Sequence, residues 1–213
     1  MSRLVVVSNR VALPGENRAG GLALALQAAL DDQSAERRGG MWFGWSGKID
    51  PSHSGKVHEQ AEKGIEYVTL DLSRRDHADY YNGFANRSLW PLLHFRMDLV
   101  DFSRETYAAY RRVNALFADE LAPRLRDDDL VWVHDYHLIP LAALLRERGV
   151  RCKLGFFLHV PMPSSDLLAA LPQHGRLFEG LSAYDLVGFQ TQRDLERFQD
   201  YVRLFGRGSV VAP

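Results

Sequence analysis

The chain opens on an unbroken aliphatic run, Leu4-Val5-Val6-Val7, with no polar residue inside it. A strand with one wet face alternates apolar and polar residues, whereas a β-branched run without alternation suits a strand covered on both faces, as in a parallel sheet. Further strands are expected at Leu130–Val133, Lys153–Leu158, Asp185–Phe189 and Ser209–Ala212. Between them come helical patterns at Leu138–Arg148 closed by Gly149, Asp166–Leu171, Gly175–Leu181, and Gln192–Phe205 closed by Gly206. This alternation predicts the α/β class: a Rossmann-like open, mostly parallel sheet with helices on both faces.

The first half is less regular. Asn9–Ala19 has loop composition, with Pro14, Gly15, Asn17 and Arg18, before Gly20-Gly21 leads into a helical pattern carrying Leu22, Leu24, Leu26 and Leu30. Met41–Ser46 and Ile65–Leu72 read as strands joined by a polar segment, a hairpin-like excursion. Ser73 with Asp76 three residues on marks a helix start; that helix should carry Tyr80 and Tyr81 near its end, and Trp90-Pro91 should break the pattern. Ser103–Leu121 keeps helical spacing over Tyr107, Tyr110, Val113, Leu116 and Phe117.

Composition excludes several classes. The 26 basic and 27 acidic residues are spread through the 213, leaving no basic footprint for nucleic acid. No stretch approaches the roughly 18 consecutive apolar residues of a membrane span. Cys152 is the single cysteine, so no internal disulfide forms, and cytoplasm is the expected compartment.

In an open parallel sheet, ligands bind at the carboxyl ends of the strands. The residues that follow the expected strands are Asn9 and Arg10, His134 and Asp135, His159, and Gln190 and Thr191. A helix opening at Gly20-Gly21 would add backbone N–H groups suited to a phosphate or diphosphate. Each residue has a plainer reading. Arg10 could be a solvated loop residue; Asp135 could cap the next helix; His159 could be a satisfied core histidine. His134 and His137 have the spacing of a metal pair, but no third ligand is identifiable and a structural role is favoured, so no metal is expected. Gly44-Trp45-Ser46-Gly47-Lys48 lacks the glycine and the hydroxyl residue of a phosphate loop, with Trp42 and Ile49 in those places. No serine has the frame of a nucleophile elbow.

Eight segments, taken in order, carry a resemblance: Val6-Val7-Ser8-Asn9-Arg10; Ala19-Gly20-Gly21-Leu22; Trp42-Phe43-Gly44-Trp45-Ser46-Gly47; Tyr80-Tyr81-Asn82-Gly83-Phe84-Ala85-Asn86 with Leu89-Trp90-Pro91; Arg112-Val113-Asn114; Val131-Trp132-Val133-His134-Asp135-Tyr136-His137-Leu138; Gly155-Phe156-Phe157-Leu158-His159-Val160-Pro161; and Asp185-Leu186-Val187-Gly188-Phe189-Gln190-Thr191. Together they resemble the ordered signature of the trehalose-6-phosphate synthase family across nearly the whole chain.

The resemblance implies half of a GT-B glycosyltransferase, residues 1–213 forming the N-terminal acceptor-side domain, without the C-terminal nucleotide-sugar domain. It implies transfer of glucose from UDP-glucose to glucose 6-phosphate with retention of configuration and without metal or organic cofactor. By the same resemblance, Arg10 binds the acceptor phosphate, Tyr81 and Trp90 help hold glucose 6-phosphate, and Gly20 and Gly21 approach the donor diphosphate. Asp135 bonds sugar hydroxyls near the reacting centre, as an orienter rather than an established base. His159 contacts the transferred glucose, and Trp45 is carried over beside its plainer reading as a core aromatic. Protein groups would mainly orient the sugars and stabilise charge on the diphosphate.

Met162 stands where the family often has phenylalanine, and the Val11–Ala19 loop is somewhat short. The chain stops at Pro213, ahead of the final strand expected of its domain, so a truncated unit with little transferase activity alone is expected. Alternatives are a glucosylglycerol-phosphate synthase-like transferase, a relative making an amino-sugar linkage, or a non-catalytic sugar-phosphate-binding module. The base of the donor and any homo-oligomer of the full-length enzyme stay open.

Overall fold

The computed structural model describes residues 2–15, 21–35 and 39–206. Among them, seven strands form one sheet in the order β3-β4-β2-β1-β5-β6-β7: β1 Leu4–Arg10, β2 Gly40–Asp50, β3 Val57–Glu62, β4 Ile65–Ser73, β5 Leu130–His134, β6 Lys153–Leu158 and β7 Leu186–Phe189. Every neighbouring pair is parallel except β3 with β4. The helices are α1 Gly21–Ala35, α2 Arg74–Asp76, α3 Trp90–Leu93, α4 Arg104–Leu121, α5 Leu141–Glu147, α6 Ser165–Ala169, α7 His174–Glu179 and α8 Gln192–Phe205, with a π-helical stretch His77–Leu89 between α2 and α3.

Val5, Val6 and Val7 of β1 are fully buried and Leu4 partly so, and their side chains part to two sides, as the two-residue period of a strand requires. Val5 and Val7 join the larger core with Phe43, Leu70, Val131 and Val133, beside Tyr110 and Phe117 of α4. Val6 points to the opposite face, where Leu26 and Leu30 of α1 pack with Trp42 and Tyr67. Both faces of the sheet are covered at its centre.

Three expectations are corrected. First, β2 and β4 are parallel neighbours rather than a hairpin; the hairpin is β3–β4, turning at Lys63 and Gly64, which both have positive φ. β3 went unread because Val57-His58-Glu59-Gln60-Ala61-Glu62 is polar, the composition of an edge strand that needs no second covered face. Second, Tyr80 and Tyr81 do not end a helix. Ser73 caps α2 by accepting from the Asp76 N–H, but the coil then widens into the π-helical stretch and runs on to Leu89. Trp90-Pro91 opens α3 there instead of breaking the run, because a proline in the first helical turn has no N–H partner to lose. Third, α5 begins at Leu141 rather than Leu138, since Tyr136–Leu138 form a separate 3-10 turn. The strand expected at Ser209–Ala212 lies outside the described residues.

The end of β1 is shaped by a glycine of β2. Register shifts between Val7 and Arg10, so that Arg10 pairs with Trp45. At Gly44 a Cβ would lie 2.1 Å from the Ser8 carbonyl oxygen, a backbone atom that cannot swing aside. Gly44→Ala should therefore pry β2 from β1 and destabilise the chain by about 3 kcal/mol, read as a lowered urea midpoint. A loss below about 0.5 kcal/mol, the scale of an ordinary surface substitution, would show that the close approach is not a constraint.

Candidate functional site

Three adjacent strands deliver the rim: β1 ends in Asn9 and Arg10, β5 in His134 followed by Asp135, and β6 in Leu158 followed by His159. The Asn9 Oδ1 accepts from the Tyr80 hydroxyl at 2.7 Å. Arg10 is exposed, and its guanidinium has no hydrogen bond or ion pair with any described residue. Gly21 is the first residue of α1, with no atom within 4 Å of where a Cβ would stand. Gly20 lies outside the described residues.

Asp135 is the most constrained residue here. It has φ 74° and ψ 166°, a conformation that belongs almost entirely to glycine and costs about 1–3 kcal/mol. Its own N–H donates to the Phe157 carbonyl at 2.9 Å. Its Oδ1 accepts from the Tyr136 N–H at 3.0 Å and from the His159 N–H at 3.3 Å. The carboxylate thus does cap the following 3-10 turn, and Oδ2 has no protein partner among the described residues. Burial pushes the carboxyl up to about 6, against the lowering influence of those two N–H donors and of His94.

The histidines separate by environment. His134 is 1% exposed, and its Nδ1 lies 2.9 Å from the His159 Nε2. Burial, assisted by His159, holds His134 down to about 3, and burial also lowers His159. Two neutral imidazoles therefore share one proton across this contact. The Gln190 amide donates to the His159 carbonyl at 2.7 Å, and Thr191 caps α8. His137 sits elsewhere, stacked on Tyr136 at 4.1 Å and on Tyr81 at 5.8 Å between ring centroids; burial pushes it down to about 3. His134 and His137 thus have separate neighbours, and no group of three or more His, Cys, Asp or Glu among the described residues is placed to hold a metal ion.

The aromatic residues form a shelf. Trp45 is buried, as a core aromatic would be, and its Nε1–H donates to the Lys48 carbonyl at 2.8 Å. Its ring also meets Tyr81 at 5.7 Å and His77 at 5.2 Å. Tyr81 leads through His137 to Tyr136, whose hydroxyl donates to the Asn86 Oδ1 at 3.1 Å. Trp90 is 43% exposed and stacks on His94 at 4.1 Å, the histidine whose charge acts on Asp135. His77, Asn86 and His94 were not foreseen. His77 precedes Tyr81 by four residues and His94 follows Trp90 by four, a one-turn spacing that would have drawn them in. A groove of about 370 Å³ lined by Tyr107, Arg111, Glu147 and Arg176 shares no residue with this rim.

The fold, with polar side chains at its carboxyl edge, is of the Rossmann-like α/β class. The chain belongs to glycosyltransferase family 20, whose family model matches residues 3–207. It is 49% identical over 215 residues to a trehalose-6-phosphate synthase of Sinorhizobium fredii, covering 99% of this chain and 46% of that protein. A crystal structure of an alpha,alpha-trehalose-phosphate synthase (UDP-forming) from Burkholderia vietnamiensis superposes with a TM-score of 0.91 at 48% identity, covering 99% of this chain and 44% of that one. One from Burkholderia xenovorans, in complex with glucose-6-phosphate, gives 0.90 at 46% identity, covering 98% and 44%. The chain thus spans less than half the length of these relatives.

The Asp135 environment has a testable pH signature. Its folded value near 6 exceeds the ordinary carboxylate value of about 3.9, so folding favours the protonated form. Stability is then lost as pH rises from about 4 through 6. Asp135→Asn removes that charge and keeps an acceptor for the two N–H groups. Its stability relative to wild type should grow by about 2 kcal/mol between pH 4.5 and 7.5, measured by urea unfolding at both. An unchanged difference would mean that the carboxylate is not held in a desolvated place.

Proposed function

We propose that this chain is the acceptor-side half of a retaining glycosyltransferase that moves glucose from UDP-glucose to glucose 6-phosphate, releasing UDP. The observation that carries this reading is the Arg10 guanidinium, without a partner among the described residues, at the carboxyl edge of β1, on the strand whose ladder with β2 also places Trp45 and, through it, Tyr81. A guanidinium free of protein carboxylates suits a phosphate, which it grips through two parallel N–H donors. Flat aromatic faces of the kind offered by Trp45 and Tyr81 suit a sugar ring. Among the similar solved structures, one is in complex with glucose-6-phosphate, and another, from E. coli, is bound with UDP-2-fluoro glucose.

In this reading Arg10 holds the acceptor phosphate, while Trp45, Tyr81 and Trp90 border the acceptor sugar. The free Oδ2 of Asp135 accepts from sugar hydroxyls, and the His134-supported His159 faces the transferred glucose. The opening of α1 at Gly21 lies toward the donor diphosphate, where main-chain N–H groups meet negative charge. Each of these groups orients a reactant or offsets charge; none is placed to attack the sugar. Retention then proceeds with the leaving phosphate assisting removal of the acceptor proton, and the protein's contribution is alignment and electrostatics. The donor diphosphate carries more charge than the described rim can offset, so transfer needs the remainder of a full-length enzyme.

Calorimetric titration of glucose 6-phosphate into the folded chain should give saturable binding, weakened by at least about tenfold in Arg10→Ala, the scale of one lost charge-assisted contact. Equal affinity in the two proteins would remove Arg10 from the phosphate site. A folded wild type that fails to bind would refute an acceptor site held by this half alone.

A further inference from the structure

Among the described residues Arg10 has no carboxylate to hold it, yet a phosphate ligand needs its guanidinium in one place. Most surface arginines without a partner sample many rotamers, and that freedom is lost on binding. The structure contains a device that restricts it. Gly47, in β2, has φ +83°, and a Cβ built there would lie 2.8 Å from the Arg10 Nε and 3.0 Å from both Cζ and Nη2. The flat guanidinium rests on the bare α-carbon of that glycine, in space that any side chain would fill.

We propose that Gly47 is a positioning residue for Arg10: its missing side chain forms the seat that fixes the guanidinium for an anionic phosphate ester. The importance of that seat for ligand binding rests on the acceptor-phosphate reading of Arg10 above; the seat itself does not. The register of the strands supports it. Arg10 pairs with Trp45, two residues before Gly47, and the Val11 N–H donates to the Trp45 carbonyl at 3.0 Å. The backbone beneath the guanidinium is therefore held by the same ladder that places the Trp45 ring. Just past it, the Lys48 N–H donates to the Ser46 hydroxyl at 3.0 Å, while the Lys48 carbonyl accepts from the Trp45 indole. The turn around Gly47 is thus closed from both sides and cannot retreat to admit a methyl group. The mobile party is the arginine.

Two glycines that share a positive φ make a controlled test. Gly149 has φ +82°, but nothing lies within 4 Å of its Cβ position. Alanine at either site meets a positive φ that L side chains rarely adopt, whereas only Gly47→Ala meets Arg10. Both variants should lose stability. In the wild-type chain and in Gly149→Ala, 15N relaxation of the Arg10 Nε–H should report a restricted side chain, and in Gly47→Ala a mobile one. Glucose 6-phosphate affinity should fall about tenfold or more in Gly47→Ala alone, since displacement of a binding group by an ångström has effects of that order or larger.

An Arg10 Nε as mobile in wild type as that of Arg193, an exposed arginine without a side-chain partner among the described residues, would overturn the proposal without recourse to any variant, so it stays testable even if Gly47→Ala does not fold. Retained order or undiminished affinity in folded Gly47→Ala would overturn it as well. If Arg10 is ordered in wild type and freed in Gly47→Ala while neither protein binds glucose 6-phosphate, the seat stands and the acceptor reading falls.

Discussion

The parallel ladder that β1 makes with β2 on one side and β5 on the other governs the rest of the structure. Every rim residue takes its position from that register, because a slip of one residue would turn Val5 and Val7 out of the larger core and Val6 into it. The opposite end of β1 is pinned by charge. Arg3 is 6% exposed, with its guanidinium on both carboxylate oxygens of the fully buried Asp129, on Glu66 and on the Arg124 carbonyl. A buried ion pair adds little net stability, but a misregistered one leaves uncompensated charge out of water. The pair therefore penalises wrong registers more than it rewards the right one. From Arg3 to Arg10 the strand carries that setting to the rim.

Strain is concentrated where the ladder can hold it. Asp135 has a conformation suited to glycine, and it is kept there by the β5–β6 pairing, by its N–H to Phe157 and by the two N–H groups on its Oδ1. The outcome is a carboxylate with one oxygen committed to the backbone and one without a partner among the described residues. A relaxed residue at this position would send the chain away from the rim and separate the carboxylate from the N–H of His159. That backbone contact is what joins the ends of β5 and β6 into one surface.

Much of this was legible in sequence because the central strands are covered on both faces, which forces the unalternated runs that mark β1 and β5. α8 was read with its observed ends, Gln192–Phe205, since Thr191 and Gly206 are strong boundary signals. What escaped has physical causes. β3 lies at an edge and carries the polar composition of a surface loop. The widened turns of His77–Leu89 have no distinct periodicity, and proline tolerance inside a first helical turn made Trp90-Pro91 read as a stop. Residue chemistry placed Arg10, Asp135 and His159 at strand ends. Tyr81 and Trp90, which lie on helical segments far from any strand end, entered only through family resemblance. His77 and His94 reach the same region through stacking that no strand-end rule detects.

The electrostatic character of the rim follows from burial. His134 and His137 are held near 3 and His159 is lowered, so these three imidazoles offer hydrogen bonds and flat surfaces near neutral pH but no charge. Asp135, with a value near 6, is mainly anionic there. Arg10 differs from all of them in being charged at any accessible pH and in lacking a protein counterion among the described residues. On the proposed reading, a neutral floor, one carboxylate and one guanidinium without a described counterion would make a divided site, with a phosphate drawn to the β1 edge and hydroxyls sorted near β5 and β6. Were the buried histidines charged instead, a phosphate would have several places to settle, and the sugar attached to it would lose its alignment. On that reading, burial of the imidazoles would contribute to specificity by leaving the cation at β1 without a competitor among them.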